Sequence, residues 1–130
     1  MYHRPPKIGV GNTTSLDKIL SSGKYSEAYF DKGRYSDSAI AADSDKVLEI
    51  LRKAQNNPDM EVTVYRGSPA PELNSGDWVT LSESYAKRYS GKFSENPASK
   101  LYSYKVKASE LSFDGSSLLE NGYFGNNLKF

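Results

Sequence analysis

Cysteine is absent from this chain, and histidine occurs once, as His3. Without thiols there is no disulfide, no thiolate zinc site and no cysteine nucleophile. A single imidazole argues against a poly-histidine metal site and a Ser-His-Asp triad, so no metal is expected. Excess charge is missing too: 17 Lys and Arg against 16 Asp and Glu leave a net charge of +1. That balance lacks the strongly basic face that grips nucleic acid. No apolar run approaches membrane-spanning length, and the opening "MYHRPPKIGV" has no signal-peptide core. The expectation is one soluble cytoplasmic domain of 130 residues, large enough to bury a modest core. Tyrosine is what the chain has in quantity, ten residues against one tryptophan and five phenylalanines. Its apolar body and polar tip suit half-buried strands and ligand-facing surfaces. Chemistry here has to rest on carboxylates, hydroxyls, arginine and a bound cofactor.

The pattern divides into a helical part, about 12–57, and a β-rich part, about 61–125. "TTSLDKILSSG" predicts a short helix capped by Thr14 with Asp17 three residues on, stopped by Gly23. "YSEAYFDKG" predicts one further turn. "SDKVLEILRKAQNN" predicts the longest helix, with Val47, Ile50, Leu51 and Ala54 on one face, Ser44 as its cap and "NNPD" as its stop. An upstream extension through Ala39, Ile40 and Ala42 is plausible, although Asp43 interrupts it. "EVTVYR" and "WVTL" predict strands separated by the loop "SPAPELNSGD". "SESYAKRYS" predicts a helix capped by Ser82. "LYSYKVK" alternates Tyr102, Tyr104 and Val106 against Ser103 and Lys105, a strand with one buried face. "ASEL" predicts a turn, "SFDG" a strand end and "LLENGYF" a final strand. Helices first and strands afterwards indicate an α+β fold rather than a parallel βαβ one.

Three polar residues stand out by position: Arg66 at the end of the first strand, Thr80 in the second, and Glu120 at the start of the last. Taken singly, each has an ordinary explanation as a solvated charge, a satisfied strand hydroxyl and an exposed glutamate. Taken together, "VYRG", "GDWVTLSESYA" and "DGSSLLENGY" resemble the ADP-ribosyltransferase-like domains of phages and mobile elements. Such domains occur in multidomain phage proteins and beside capsid-morphogenesis proteins. "HRPP", "YSEAYFDKGRY" and "ILRKAQNNPDMEVTVYRG" extend the resemblance from residue 3 to about 124. The order arginine, hydroxyl, glutamate is similar to the arginine-serine-glutamate branch of that family.

The resemblance implies an ADP-ribosyltransferase-like fold, two small twisted sheets over one NAD cleft with N-terminal helices against them. It implies transfer of ADP-ribose from NAD, with Arg66, Thr80 and Glu120 as catalytic residues. Arg66, Gly67, Thr80, Ser82 and Tyr85 become the NAD-binding set, and no metal is required. These residue types suit that chemistry. An arginine fork grips phosphate or ribose oxygens, and a carboxylate stabilises an oxocarbenium ion. Leu118 stands where arginine-modifying transferases carry an acidic residue, which points to an acceptor other than arginine: asparagine, a hydroxyl, a nucleic acid or water. "WVTLS" replaces the serine-threonine-serine signature, so the hydroxyl role falls to Thr80. Phage-type origin implies a host protein as target, in the bacterial cytoplasm, and an anti-defence role. Two other readings share the fold: an inactive binding module that inhibits a defence complex such as CRISPR, and an NAD glycohydrolase.

Overall fold

The computed structural model describes Pro5, Ile8 and residues 13–22, 38–87, 100–113 and 119–129. His3, Leu118, "YSEAYFDKG" and most of "GKFSENPASK" lie outside the described residues. Strand β1 (Thr14–Ser15) leads to helix α1 (Ser38–Ala54), then to β2 (Glu61–Ser68), β3 (Glu72–Leu73) and β4 (Asp77–Val79). A helix, α2, is described over 83–87. It is followed by β5 (Lys100–Lys107), a 3-10 turn (Ala108–Glu110), β6 (Leu111–Phe113), β7 (Asn121–Tyr123) and β8 (Leu128–Lys129). Every strand pair among the described residues is antiparallel, which makes the chain α+β.

Helix α1 buries Ile40, Ser44, Val47, Leu51 and Ala54, a repeat of four and three residues that makes one apolar stripe. It already includes Ser38, so the upstream extension through Ala39, Ile40 and Ala42 is helical and Ser44 is not its cap. Ser44 instead lies within the helix and donates its hydroxyl back to the Ala41 carbonyl at 2.7 Å. Asp43 does not interrupt the helix, because its carboxylate is engaged outside it (below). The C-terminus behaves as "NNPD" suggests: Asn56 takes the left-handed conformation at φ 63°, an end that asparagine tolerates.

The segment "TTSLDKILSSG" departs from its helical pattern. Thr14 and Ser15 pair with Phe113 and Ser112, and residues 16–22 form turns. Gln55, one residue beyond α1, explains the choice. Its Oε1 accepts the Leu20 and Ser21 N–H groups, each at 3.0 Å, while its Nε2 donates to the Leu16 and Leu51 carbonyls. A side chain 34 or 35 residues away thus replaces the bonds that a free helix would make. Asp17, expected to share a capping box, is instead buried at 2% exposure.

The sheet order is β1-β6-β7-β4, with β2-β5 and β3-β8 as separate ribbons. The long ribbon pairs Glu61 with Lys107 through to Ser68 with Lys100. Tyr104 and Val106 lie buried on its inner face, as alternation predicts. Strand β3 falls inside the predicted loop "SPAPELNSGD", where Glu72 and Leu73 pair with the distant β8, too short to show as a pattern. One reciprocal bridge joins the ribbon to the larger sheet: Tyr65 N–H donates to the Thr80 carbonyl at 2.8 Å, and Thr80 N–H returns to Tyr65 at 3.1 Å.

Gly122 sits in the middle of that sheet, opposite Trp78 on one side and Ser112 on the other. A Cβ there would come within 2.5 Å of Ser112 Oγ and 2.7 Å of both Phe124 Cε2 and Pro5 Cβ. The serine and phenylalanine can rotate, but the proline ring cannot. Gly122→Ala is expected to cost about 1–3 kcal/mol, the usual cost of overpacking, read as a lower urea midpoint at constant m-value. An unchanged midpoint would mean that Pro5 does not pack on the sheet.

Candidate functional site

Strand alternation sorts the candidate residues onto two faces. Tyr65 is bridged to Thr80, so their side chains share a face, and Arg66 projects to the other. The β4–β7 register runs Asp77 to Tyr123, Trp78 to Gly122 and Val79 to Asn121. Thr80 and Glu120 flank the last of these pairs, and continuing the same register one step aligns them. Glu120 and Thr80 therefore belong to the Tyr65 face. Asp77 and Val79 belong to the Arg66 face.

On the first face a line of hydrogen bonds joins four of the expected residues. Thr80, fully buried, accepts the Ser82 N–H on its hydroxyl at 3.1 Å. Ser82, 1% exposed, caps α2 by accepting the Tyr85 N–H at 3.0 Å. That is the cap its sequence context predicts. The Tyr85 hydroxyl then donates to Glu120 Oε1 at 2.7 Å, across 35 residues of sequence. Glu120 itself is half-buried and immediately precedes β7, rather than opening the final strand.

Asp43 of α1 completes the line and was invisible as a site residue in the sequence. Its Oδ2 accepts the Ser82 hydroxyl at 2.8 Å and the Ser84 N–H at 3.0 Å. The only sequence signal was a carboxylate in an otherwise apolar helical stretch. Burial by itself would raise the Asp43 carboxyl, but the bonds from Ser82 and Ser84, with the Lys46 charge, outweigh it and hold it below 3.8. The Tyr65 phenol is pushed up by burial first and by the charges of Glu83 and Asp43 second, in keeping with its place on this face.

A depressed carboxyl stabilises the fold above its unfolded value and stops doing so as acid protonates it. Asp43→Asn is therefore expected to lower stability at neutral pH, with the deficit closing as pH falls below 3.8. Thermal midpoints of both proteins between pH 7 and pH 3 measure it. A deficit independent of pH would contradict the charged contact.

Arg66 occupies the opposite face and is not a solvated strand end. It is the sixth residue of the eight in β2, which continues through Gly67 and Ser68 because both stay paired with β5. Its Nη1 donates to the Trp78 carbonyl at 2.7 Å, and its Nε lies 3.7 Å from Asp77 Oδ2. The second contact is an ion pair beyond hydrogen-bond length, which leaves the buried Nε without a hydrogen-bond acceptor among the described residues. Both side chains are mostly buried, at 15% and 18% exposure. Tyr104 neighbours them. Burial raises its phenol, while a Ser68 hydrogen bond and the Arg66 charge pull it partly back. Gly67 is buried in the β2–β5 ribbon beside Leu101.

The structure thus brings Thr80, Ser82, Tyr85 and Glu120 together and directs Arg66 to a separate set of partners. No protein-family model matches the chain, and no curated protein or solved structure matches it. No helix among the described residues is long and apolar enough to cross a membrane.

Proposed function

We propose that the chain is an NAD-dependent mono-ADP-ribosyltransferase with the ADP-ribosyltransferase fold, modifying a macromolecule of a bacterial host. The motifs "VYRG", "GDWVTLSESYA" and "DGSSLLENGY" support the reading at the level of sequence. The observation that carries it is the Glu120 carboxylate, half-buried and held through one oxygen by Tyr85. A fixed anion beside buried hydroxyls suits a reaction in which positive charge develops on a sugar.

In that reaction the nicotinamide–ribose bond of NAD breaks and nicotinamide departs with the bonding electrons. The acceptor's nucleophilic atom then joins the anomeric carbon and releases its proton. Glu120 stabilises the oxocarbenium charge, an interaction stronger in the transition state than in the bound substrate. Thr80 and Ser82 stiffen the strand-to-helix corner beside it, and Tyr85 offers a ring face for the nicotinamide. Arg66 enters as the tie between β2 and β4, and must exchange the Trp78 carbonyl to grip a phosphate.

That last requirement favours a second reading, a binding module of the same fold that inhibits a host defence complex. Incubation with labelled NAD, with and without host lysate, separates the two. Label on a protein supports transfer. Free ADP-ribose indicates an NAD glycohydrolase, and unconsumed NAD indicates the binding module.

A further inference from the structure

We infer that Asp43 is a positioning residue for Glu120, acting through Ser82 and Tyr85; this rests on Glu120 being the catalytic carboxylate. Three elements meet in this arrangement. Asp43 stands on α1, which is anchored in the core through Ile40, Val47 and Leu51. Ser82 is the cap of α2, and Glu120 leads into β7.

The first turn of α2 has backbone N–H groups with no partner inside the helix, and outside acceptors must take them. Asp43 is one such acceptor, taking both the Ser82 hydroxyl and the Ser84 N–H. The hydroxyl of Ser82 is a rotor until something takes its hydrogen. With Asp43 Oδ2 at 2.8 Å on that hydrogen, the oxygen lone pairs turn to the Tyr85 N–H at 3.0 Å. Tyr85 then carries the order outward. Its ring has few rotatable bonds, and its hydroxyl sits 2.7 Å from Glu120 Oε1. One carboxylate oxygen is fixed, and the other keeps its direction for a ribose hydroxyl. Removing Asp43 frees the rotor, loosens the cap and lets Tyr85 and Glu120 drift together.

The test compares wild type with Asp43→Ala, Tyr85→Phe and the double variant in NAD turnover. Each single change is expected to lower kcat about tenfold, the worth of one oriented hydrogen bond, with a smaller change in KM for NAD. The double variant should fall no lower than the worse single one, because both act along one line. Asp43→Asn retains an acceptor for the Ser82 hydroxyl and should recover most of the rate. Losses that add, a changed KM alone or wild-type kcat throughout would overturn the inference. A second readout needs no NAD: the carboxyl carbon signal of labelled Glu120 should move in Asp43→Ala and in Asp43→Asn by less. An unmoved signal overturns the positioning role. A moved signal in a protein that consumes no NAD upholds that role and refutes the transferase reading.

Discussion

Glu120→Gln is expected to slow NAD turnover by about 100- to 1000-fold while leaving NAD affinity near wild type. Glutamine keeps the shape of the side chain, and its amide oxygen can still accept the Tyr85 hydroxyl that binds Glu120 Oε1 at 2.7 Å. Only the charge is lost. A neutral amide binds the ground state about as well, but it cannot oppose the positive charge that grows on the ribose. The measurement is kcat and KM for both proteins, with thermal midpoints to show that the variant folds. A variant with most of the wild-type kcat would move the chemistry away from Glu120. The Tyr85 contact would then be only a tie between α2 and the approach to β7.

How far this site could be read in the sequence depended on how local its determinants are. Ser82 was legible because a cap is fixed by its own neighbours, and the bond to the Tyr85 N–H spans three residues. The alternation of Tyr102, Tyr104 and Val106 was legible for the same reason, since one buried face imposes a period of two. The α+β class followed from such patterns, and the antiparallel pairs agree with it. Thr14 and Ser15 were not legible. Their strand exists only because Ser112 and Phe113 lie alongside, and the following turns depend on the distant amide of Gln55. Asp43 failed the same way. In sequence it interrupts an apolar stripe, whereas in the fold it faces the Ser82 hydroxyl 39 residues away. Thr80 and Glu120 stood out by position but were joined into one site only by the resemblance; in the fold Thr80 follows and Glu120 precedes the last β4–β7 pair, Val79 with Asn121.

Arg66→Ala is expected to destabilise the unliganded protein by about 2–3 kcal/mol, the cost of removing a charged donor from a mostly buried site. The Trp78 carbonyl loses its 2.7 Å donor and Asp77 loses its countercharge. Asp77 keeps one bond, from the Asn74 N–H at 2.8 Å, which holds the loss below that of a fully stranded carboxylate. Arg66→Lys separates charge from shape. An ammonium preserves the attraction to Asp77 but has no planar fork to hold the Trp78 carbonyl, or to take a phosphate oxygen in exchange for it. It should therefore lose about 1–2 kcal/mol of stability without ligand, near the value of one charge-assisted hydrogen bond. It should also bind NAD more weakly than wild type. Urea titration reads the first effect and calorimetric titration with NAD the second. Unchanged stability would mean that the tie between β2 and β4 is not made in solution. Equal NAD affinities would confine Arg66 to holding those strands together. They would leave the Thr80–Glu120 face as the part of the protein that meets the ligand.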